Sequence, residues 1–264
     1  MRTLLIVLSV VGSLVRSTSA APPDVATMVA KMKAALEPPK ASVRQLTLSI
    51  SAEGGAPTQW TLAEARKSVD GQNRLLTVLL APQDDRGIAS LLLEATAAKP
   101  AMIALYVPDL RRVRTLTGGG ANETVLGSDF TYADLSFISL KDQYKFVGTE
   151  KLNGKDAYKI EQTPLSPWYY SKVVAWIDPT TMLPIERTYY DPAGALWKVE
   201  GFEDVSTIDG QPVATRIKMQ DKQTGGSSEI VVTNIRFGVD LPDALFQKDG
   251  LPSAIKSPVW QGLQ

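Results

Sequence analysis

Cysteine and histidine are both absent from the 264 residues. Without histidine the chain cannot form a serine triad with a histidine base, and without cysteine it has no thiol nucleophile. Ordinary zinc sites use the same two residue types, so neither a metal site nor a cofactor is expected. Disulfide bonds and a lipid-modified N-terminal cysteine are excluded as well. Any enzyme chemistry would have to use carboxylates, tyrosine or a Ser-Lys pair.

The chain also has no apolar run of the roughly 20 residues that a membrane-spanning helix needs. Its first 20 residues carry Arg2, an apolar run over residues 4–15, and the small residues Thr18-Ser19-Ala20. This pattern predicts a secretory signal that is cleaved after Ala20, with an uncleaved membrane anchor as the alternative. We therefore expect a mature chain, residues 21–264, that is soluble in a periplasm-like compartment and carries no lipid anchor.

Neither sign of charge is in excess. Lys and Arg together number 28, as do Asp and Glu, and cleavage of the signal removes Arg2 and Arg16. The mature chain then has a net charge of about −2, which gives no electrostatic reason to expect nucleic-acid binding. A Gly-x-x-x-x-Gly-Lys phosphate loop is also missing.

The periodicity of the remaining sequence predicts a mainly β protein. Asp24 is a plausible N-cap for one helix with apolar residues at helical spacing up to Leu36, where Pro38-Pro39 ends it. After it come short apolar or alternating runs separated by turn residues such as Asp70-Gly71 and Asn153-Gly154, which is typical of an antiparallel meander. No Pro/Ser-rich linker divides the chain, so a single domain over residues 21–264 is expected. The predicted strands include 46–51, 60–69, 75–80, 88–93, 102–107, 144–152 and 157–162.

One stretch in the middle of the chain concentrates the charged and aromatic residues. Arg112 and Arg114 lie on a predicted strand and share one of its faces. A glycine run at residues 118–120 follows, which we interpret as a flexible loop, and then a predicted short helix over residues 130–139. Asp129 and Asp134 flank the start of this helix and are close enough in sequence to pair with the two arginines. The charges either pin the helix to the strand or meet a lipid head group or a protein partner.

Several sequence blocks carry a family resemblance. They are Tyr106-Val-Pro108, Arg111-Arg-Val-Arg114, Gly127-Ser-Asp-Phe-Thr-Tyr-Ala-Asp-Leu135, Tyr170-Ser-Lys-Val173 and Trp176-Ile-Asp178. In this order the chain resembles the bacterial outer-membrane lipoprotein-sorting proteins related to the carrier LolA, from about residue 25 to residue 246. The resemblance implies a strongly curved antiparallel sheet, an unclosed half β-barrel, with a few helices covering an apolar cavity. It brings no catalytic residues with it.

The resemblance leads to the expectation of a periplasmic carrier that binds lipoprotein acyl chains or another lipid. Its partners would be that lipid and an envelope transporter or outer-membrane acceptor, and the protein would be a monomer. In this interpretation Asp129 and Asp134 latch a lid to Arg112 or Arg114, while the aromatics contact lid, core or ligand. The candidate lipid-binding or lid residues are Arg112, Arg114, Asp129, Phe130, Tyr132, Asp134, Leu135 and Trp176.

Two other functions remain open. The protein could be an accessory subunit of an envelope transporter or assembly machine, which binds through its convex face. It could also be a lipid or glycan hydrolase that uses paired carboxylates, with Asp129 and Asp134 or Glu200 and Glu203 as candidates. Sequence spacing alone does not show that either pair converges at the separation which such chemistry requires.

Overall fold

The computed structural model describes residues 22–51, 56–116, 118–165 and 169–263. The predicted signal segment, residues 1–20, lies outside the described residues, and its cleavage stays a prediction. In the parts of the chain that are described, no helix has the length and apolar character needed to cross a bilayer.

The predicted N-terminal helix is confirmed as α1, Val25–Leu36. The Asp24 carboxylate accepts a hydrogen bond from the Thr27 backbone N–H at 3.0 Å, which satisfies one of the unpaired donors of the first turn. Its buried face includes Met28 and Met32. This face packs on Ile160 and Ile177 of the sheet. The helix therefore covers one half of the sheet.

Thirteen antiparallel strands form one continuous sheet. In chain order they are β1 Ser42–Ile50, β2 Thr58–Val69, β3 Gln72–Ala81, β4 Ala89–Leu93, β5 Met102–Val107, β6 Arg112–Leu116, β7 Gln143–Leu152, β8 Lys155–Thr163, β9 Lys172–Ile177, β10 Pro184–Tyr190, β11 Leu196–Ile208, β12 Gln211–Asp221 and β13 Ser227–Phe237.

The sheet is an unclosed barrel, as predicted. β1 to β6 form one meander, β7 to β13 form another, and the pairing of β1 with β13 joins the two. β6 and β7 are the two edges of the sheet in the described residues. The chain passes from one edge to the other through residues 117–142, of which we call 118–142 the central segment.

The two faces of the sheet bury different partners because strand side chains alternate in direction. The inner face carries residues such as Leu48, Leu92 and Val173, and the central segment inserts Phe130 and Tyr132 among them. The opposite, outer face is covered by residues from the C-terminal end of the chain. Apolar residues therefore pack on both sides of the half that contains β1 to β5.

The C-terminal residues form three short 3-10 helices, Asp243–Phe246, Lys248–Lys256 and Pro258–Trp260. Phe246, in the first of them, is buried. Trp260 is 1% exposed, and its indole N–H donates to the Ala254 carbonyl at 2.7 Å. This layer packs on the outer face of the sheet.

Two predictions for the central segment are wrong. Residues 118–122 form a 3-10 helix where a flexible loop was expected, and residues 130–139 do not form a helix. Instead, Thr131 bridges to Thr124, and a single turn follows in which the Thr131 N–H donates to the Asp134 carboxylate at 2.7 Å. The Asp134 side chain accepts the hydrogen bond of the Thr131 backbone N–H, and such a local bond competes with the backbone hydrogen bonds of a helix.

Candidate functional site

A cavity of about 710 Å³ lies between the inner face of the sheet and the central segment. This volume is in the range of small-molecule and lipid pockets. Its apolar wall comes from β4, β5 and β9 on the sheet and from the second half of the central segment on the other side. That wall includes Leu92, Ile103, Ala133, Phe137, Ile138 and Val173.

Small side chains account for much of the space. Ala95, Ala97 and Ala101 lie between β4 and β5, and Ala121 and Ala133 face them from the central segment. Alanine reaches only one carbon from the backbone, so these positions leave space that longer side chains would fill. Phe130 and Tyr132 of the same segment are buried in the inner-face core.

The central segment is fixed to the sheet by a buried polar network around Asp134. Lys198 of β11 donates to the Asp134 carboxylate at 3.0 Å and to the Asp129 carbonyl at 2.8 Å. The Tyr170 hydroxyl donates to the other Asp134 oxygen. The Thr131 hydroxyl donates at 2.9 Å to the same Asp134 oxygen as Lys198. Burial and then the adjacent Asp134 carboxylate raise the pKa of Tyr170, so its hydroxyl stays a donor.

Asp129 contacts a different strand. Its carboxylate accepts a hydrogen bond from the Ser228 hydroxyl at 2.5 Å, and its backbone N–H donates to the same hydroxyl at 2.9 Å. The adjacent position on the sheet side is Gly226, where an added Cβ would collide with the Asp129 carboxylate. A larger residue at position 226 would have to displace the Asp129 carboxylate from its contact with Ser228.

A second buried pair lies beside the first. Arg187 of β10 donates through Nε to Glu200 of β11 at 2.8 Å, and the Tyr189 hydroxyl donates to the same carboxylate oxygen at 2.5 Å. Burial opposes the charge on Arg187, but Glu200 outweighs it and raises the pKa of the guanidinium. Arg187 and Tyr189 also line the cavity, and its mostly apolar wall carries further polar side chains, among them Glu94, Lys141, Asp142 and Gln162.

The predicted latch between arginine and aspartate is wrong. Arg114 pairs with Glu123, Nη1 to Oε1 at 3.0 Å, in an exposed bidentate contact. Arg112 is exposed on the edge strand β6 and pairs with no described residue. The carboxylate of Asp134 meets Lys198 instead, because the central segment folds inward and across the sheet, away from β6.

The other candidates divide between the two faces. Phe130, Tyr132 and Leu135 lie against the inner-face core, and burial raises the pKa of Tyr132 to about 12. Trp176 alternates with the cavity-lining Val173 and faces outward, where its indole N–H donates to Glu150 at 2.6 Å. Phe130, Tyr132 and Leu135 are thus brought together with Asp134, whereas Trp176 and Arg112 lie apart from them.

The carboxylate pairs considered for hydrolysis do not form isolated acid–base pairs. Glu200 is buried and faces inward to Arg187, whereas Glu203 is paired with the exposed Lys218 at 2.9 Å. Asp129 and Asp134 each have their own partners, Ser228 and Lys198.

The sequence analysis missed Lys198 and Arg187 as site residues. For Lys198 the available signal was its position, since it shares one face of β11 with Glu200 and the apolar Phe202.

The comparisons with known proteins agree with this architecture. A family model described as "Uncharacterized protein" matches residues 71–253. A proposed outer membrane lipoprotein-sorting protein domain from Vibrio parahaemolyticus is 27% identical, with a TM-score of 0.80, over 86% of this chain and 98% of that one. No curated protein matches the chain.

Two further solved structures share the fold. A DUF1329 family protein from Desulfovibrio piger is 25% identical, with a TM-score of 0.79, over 86% of this chain and 97% of its own. A LolA superfamily protein from Nitrosomonas europaea is 20% identical, with a TM-score of 0.70, over 85% and 98% of the two chains. Since the family model spans more than half of the sequence and the fold is that of these structures, the chain belongs to that family and is a LolA-like protein.

Proposed function

We propose that the protein is a periplasmic carrier that binds lipoprotein acyl chains or another lipid for transport to the outer membrane. The single observation that carries the proposal is the apolar cavity of about 710 Å³ under the central segment. The protein acts in this proposal as a monomer. It exchanges its lipid with an envelope transporter or an outer-membrane acceptor and performs no catalysis.

The energetic reason for such a carrier is the cost of exposing acyl chains to water. Each methylene that leaves an apolar environment costs about 0.8 kcal/mol, so even one long chain is effectively insoluble. A cavity lined by Leu92, Ile103, Phe137 and Val173 removes that cost while the lipid crosses an aqueous compartment. Weak contacts at its rim would permit release without unfolding of the sheet.

The family supports the same function. The Vibrio parahaemolyticus domain that shares the fold at 27% identity is described as belonging to outer membrane lipoprotein sorting. The predicted signal over residues 1–20 would bring the protein into the compartment where such sorting takes place. The hydrolase alternative is disfavoured by the engagement of Asp129, Asp134 and Glu200 with buried partners of their own.

Native mass spectrometry of the purified protein tests the proposal directly. A carrier is expected to retain a lipid from its host, which organic extraction releases intact. The protein should also accelerate the transfer of a fluorescent fatty-acyl probe from donor to acceptor vesicles, and unlabelled lipid should compete. Protein without bound lipid and without effect on transfer would contradict the carrier function and favour the accessory role, whereas conversion of the probe to a new product would indicate a hydrolase.

A further inference from the structure

A second, smaller cavity of about 120 Å³ adjoins the first. It lies between the C-terminal end of α1, the beginning of β1, the end of β2 and the central segment. Asp134, Ser136, Ile138 and Arg187 line both cavities. The two spaces are therefore separated only by residues of the central segment and by one arginine of β10.

Three arginines line this smaller cavity, and two of them are neutralised. Arg44 pairs with Glu64 at 2.5 Å, and Arg187 pairs with Glu200 at 2.7 Å. Arg66 is the third. Its guanidinium makes no hydrogen bond or ion pair with any described residue, and its Nη1 is fully buried without a partner. A buried polar group without a partner is rare in native proteins and points to a ligand or water that satisfies it.

The surroundings hold Arg66 in place without neutralising it. Arg66 lies on the inner face of β2, the same face as Leu62. Its guanidinium lies 5.5 Å from the ring centre of Phe137. Phe137 also lines the larger cavity. Burial lowers the pKa of Arg66, and the nearby Arg44 lowers it further, while Glu64, Glu37 and Glu94 act in the opposite direction. Arg66 is thus a half-buried cation beside the apolar cavity, and its Nη1 has no hydrogen-bond partner among the described residues.

From this arrangement we propose that Arg66 binds the anionic head of an amphiphile whose chain occupies the larger cavity. The inference rests on the proposed carrier function and adds the chemistry of the head group, a phosphate or a carboxylate. An arginine suits this role because its planar group donates to two oxygens at once. Binding supplies the partner that Arg66 lacks, and the Phe137 ring lies between head and chain.

The test compares two amphiphiles that differ only in the head, dodecyl phosphate below its micellar concentration and dodecanol below its solubility limit. Isothermal titration should give the wild-type protein an affinity for dodecyl phosphate that is about tenfold or more above that for dodecanol, as expected for hydrogen bonds to a charged group. Arg66→Gln should abolish this preference and leave the affinity for dodecanol unchanged.

Arg112→Gln is the matched control, since it removes the same charge from an exposed arginine without a partner. It should retain the wild-type preference.

Equal affinities of the wild type for both amphiphiles, or an unchanged preference in Arg66→Gln, would overturn the inference and leave the carrier function intact. Failure of both amphiphiles to bind would reject the carrier function as well. Inorganic phosphate that binds as tightly as dodecyl phosphate would show a free-anion site and refute the link to a chain.

A stability measurement separates a ligand-binding Arg66 from a structural one. Arg66→Met removes a half-buried cation whose Nη1 is buried and unpaired, so the melting temperature of the lipid-free protein should stay the same or rise. A structural role predicts a lower melting temperature, which would count against the inference. Should Arg66→Met not fold, Arg66→Gln carries the same comparison, because it retains a hydrogen-bond donor.

Discussion

The Lys198 ammonium lies 3.0 Å from an Asp134 oxygen, and the two side chains are 3% and 0% exposed. They join β11 to the central segment, 64 residues earlier in the chain. Two charges in an apolar interior are tolerated only when their pairing and hydrogen bonds are complete, and here Tyr170 and Thr131 complete them. This buried contact ties the central segment to the sheet, in addition to the exposed pair between Glu123 of that segment and Arg114 of β6.

Removal of one member of this pair should strongly destabilise the protein. Lys198→Met leaves Asp134 charged and buried, and we expect the free energy of unfolding to fall by about 3–5 kcal/mol in urea titrations. Lys151→Met is the matched control, because Lys151 pairs with Asp156 at 2.8 Å with both side chains mostly exposed, and should cost less than about 1 kcal/mol. Equal losses in the two variants would show that burial of the pair is unimportant.

Asp134 should also control the mobility of the central segment. Asp134→Ala removes acceptors from Lys198, Tyr170 and Thr131, so amide hydrogen exchange should rise much more over residues 128–138 than in strands β7 to β13. Release of a bound acyl probe should become faster for the same reason. The exposed Asp156→Ala serves as the control. Wild-type exchange and release rates in Asp134→Ala would reject a role for this residue in retaining the cover.

Substitutions on the two faces of β5 test whether a lipid probe binds in the cavity. Ile103 of β5 lines the cavity, whereas Tyr106 of the same strand packs on the outer-face cluster. In Ile103→Trp the indole should exclude at least two methylenes of a bound chain, which weakens probe affinity by about tenfold. Tyr106→Trp should bind the probe like wild type. Unchanged affinity in Ile103→Trp would place the probe elsewhere on the protein.

The N-terminus of α1 should contribute a pH-dependent part of the stability. Hydrogen bonds from the Thr27 backbone and hydroxyl hold the pKa of Asp24 below its usual value of 3.8. The stabilisation is therefore complete above pH 3.8 and is lost as the pH falls through the lower folded-state value. Asp24→Asn retains a capping acceptor without the titration, so its stability difference from wild type should shrink in acid. A difference that stays constant with pH would contradict this assignment.

Local patterns in the chain were enough to predict much of the architecture. The cap at Asp24 marks the start of α1, and turns at Asp70-Gly71 and Asn153-Gly154 separate successive strands. These features depend on residues that are neighbours in sequence, and their conformational preferences act before any tertiary contact forms. The absence of histidine and cysteine likewise restricts the available chemistry whatever the fold.

The partners of the charged residues required the tertiary structure. Asp134 and Arg114 are 20 positions apart and were expected to pair, yet Asp134 meets Lys198 and Arg114 meets Glu123. The helix expected over residues 130–139 is likewise replaced by a turn that buries Phe130 in the inner-face core. Strand register decides which distant side chains share a face, and burial then favours the pairing of charges such as Lys198 and Asp134. Neither condition can be read from spacing along the chain.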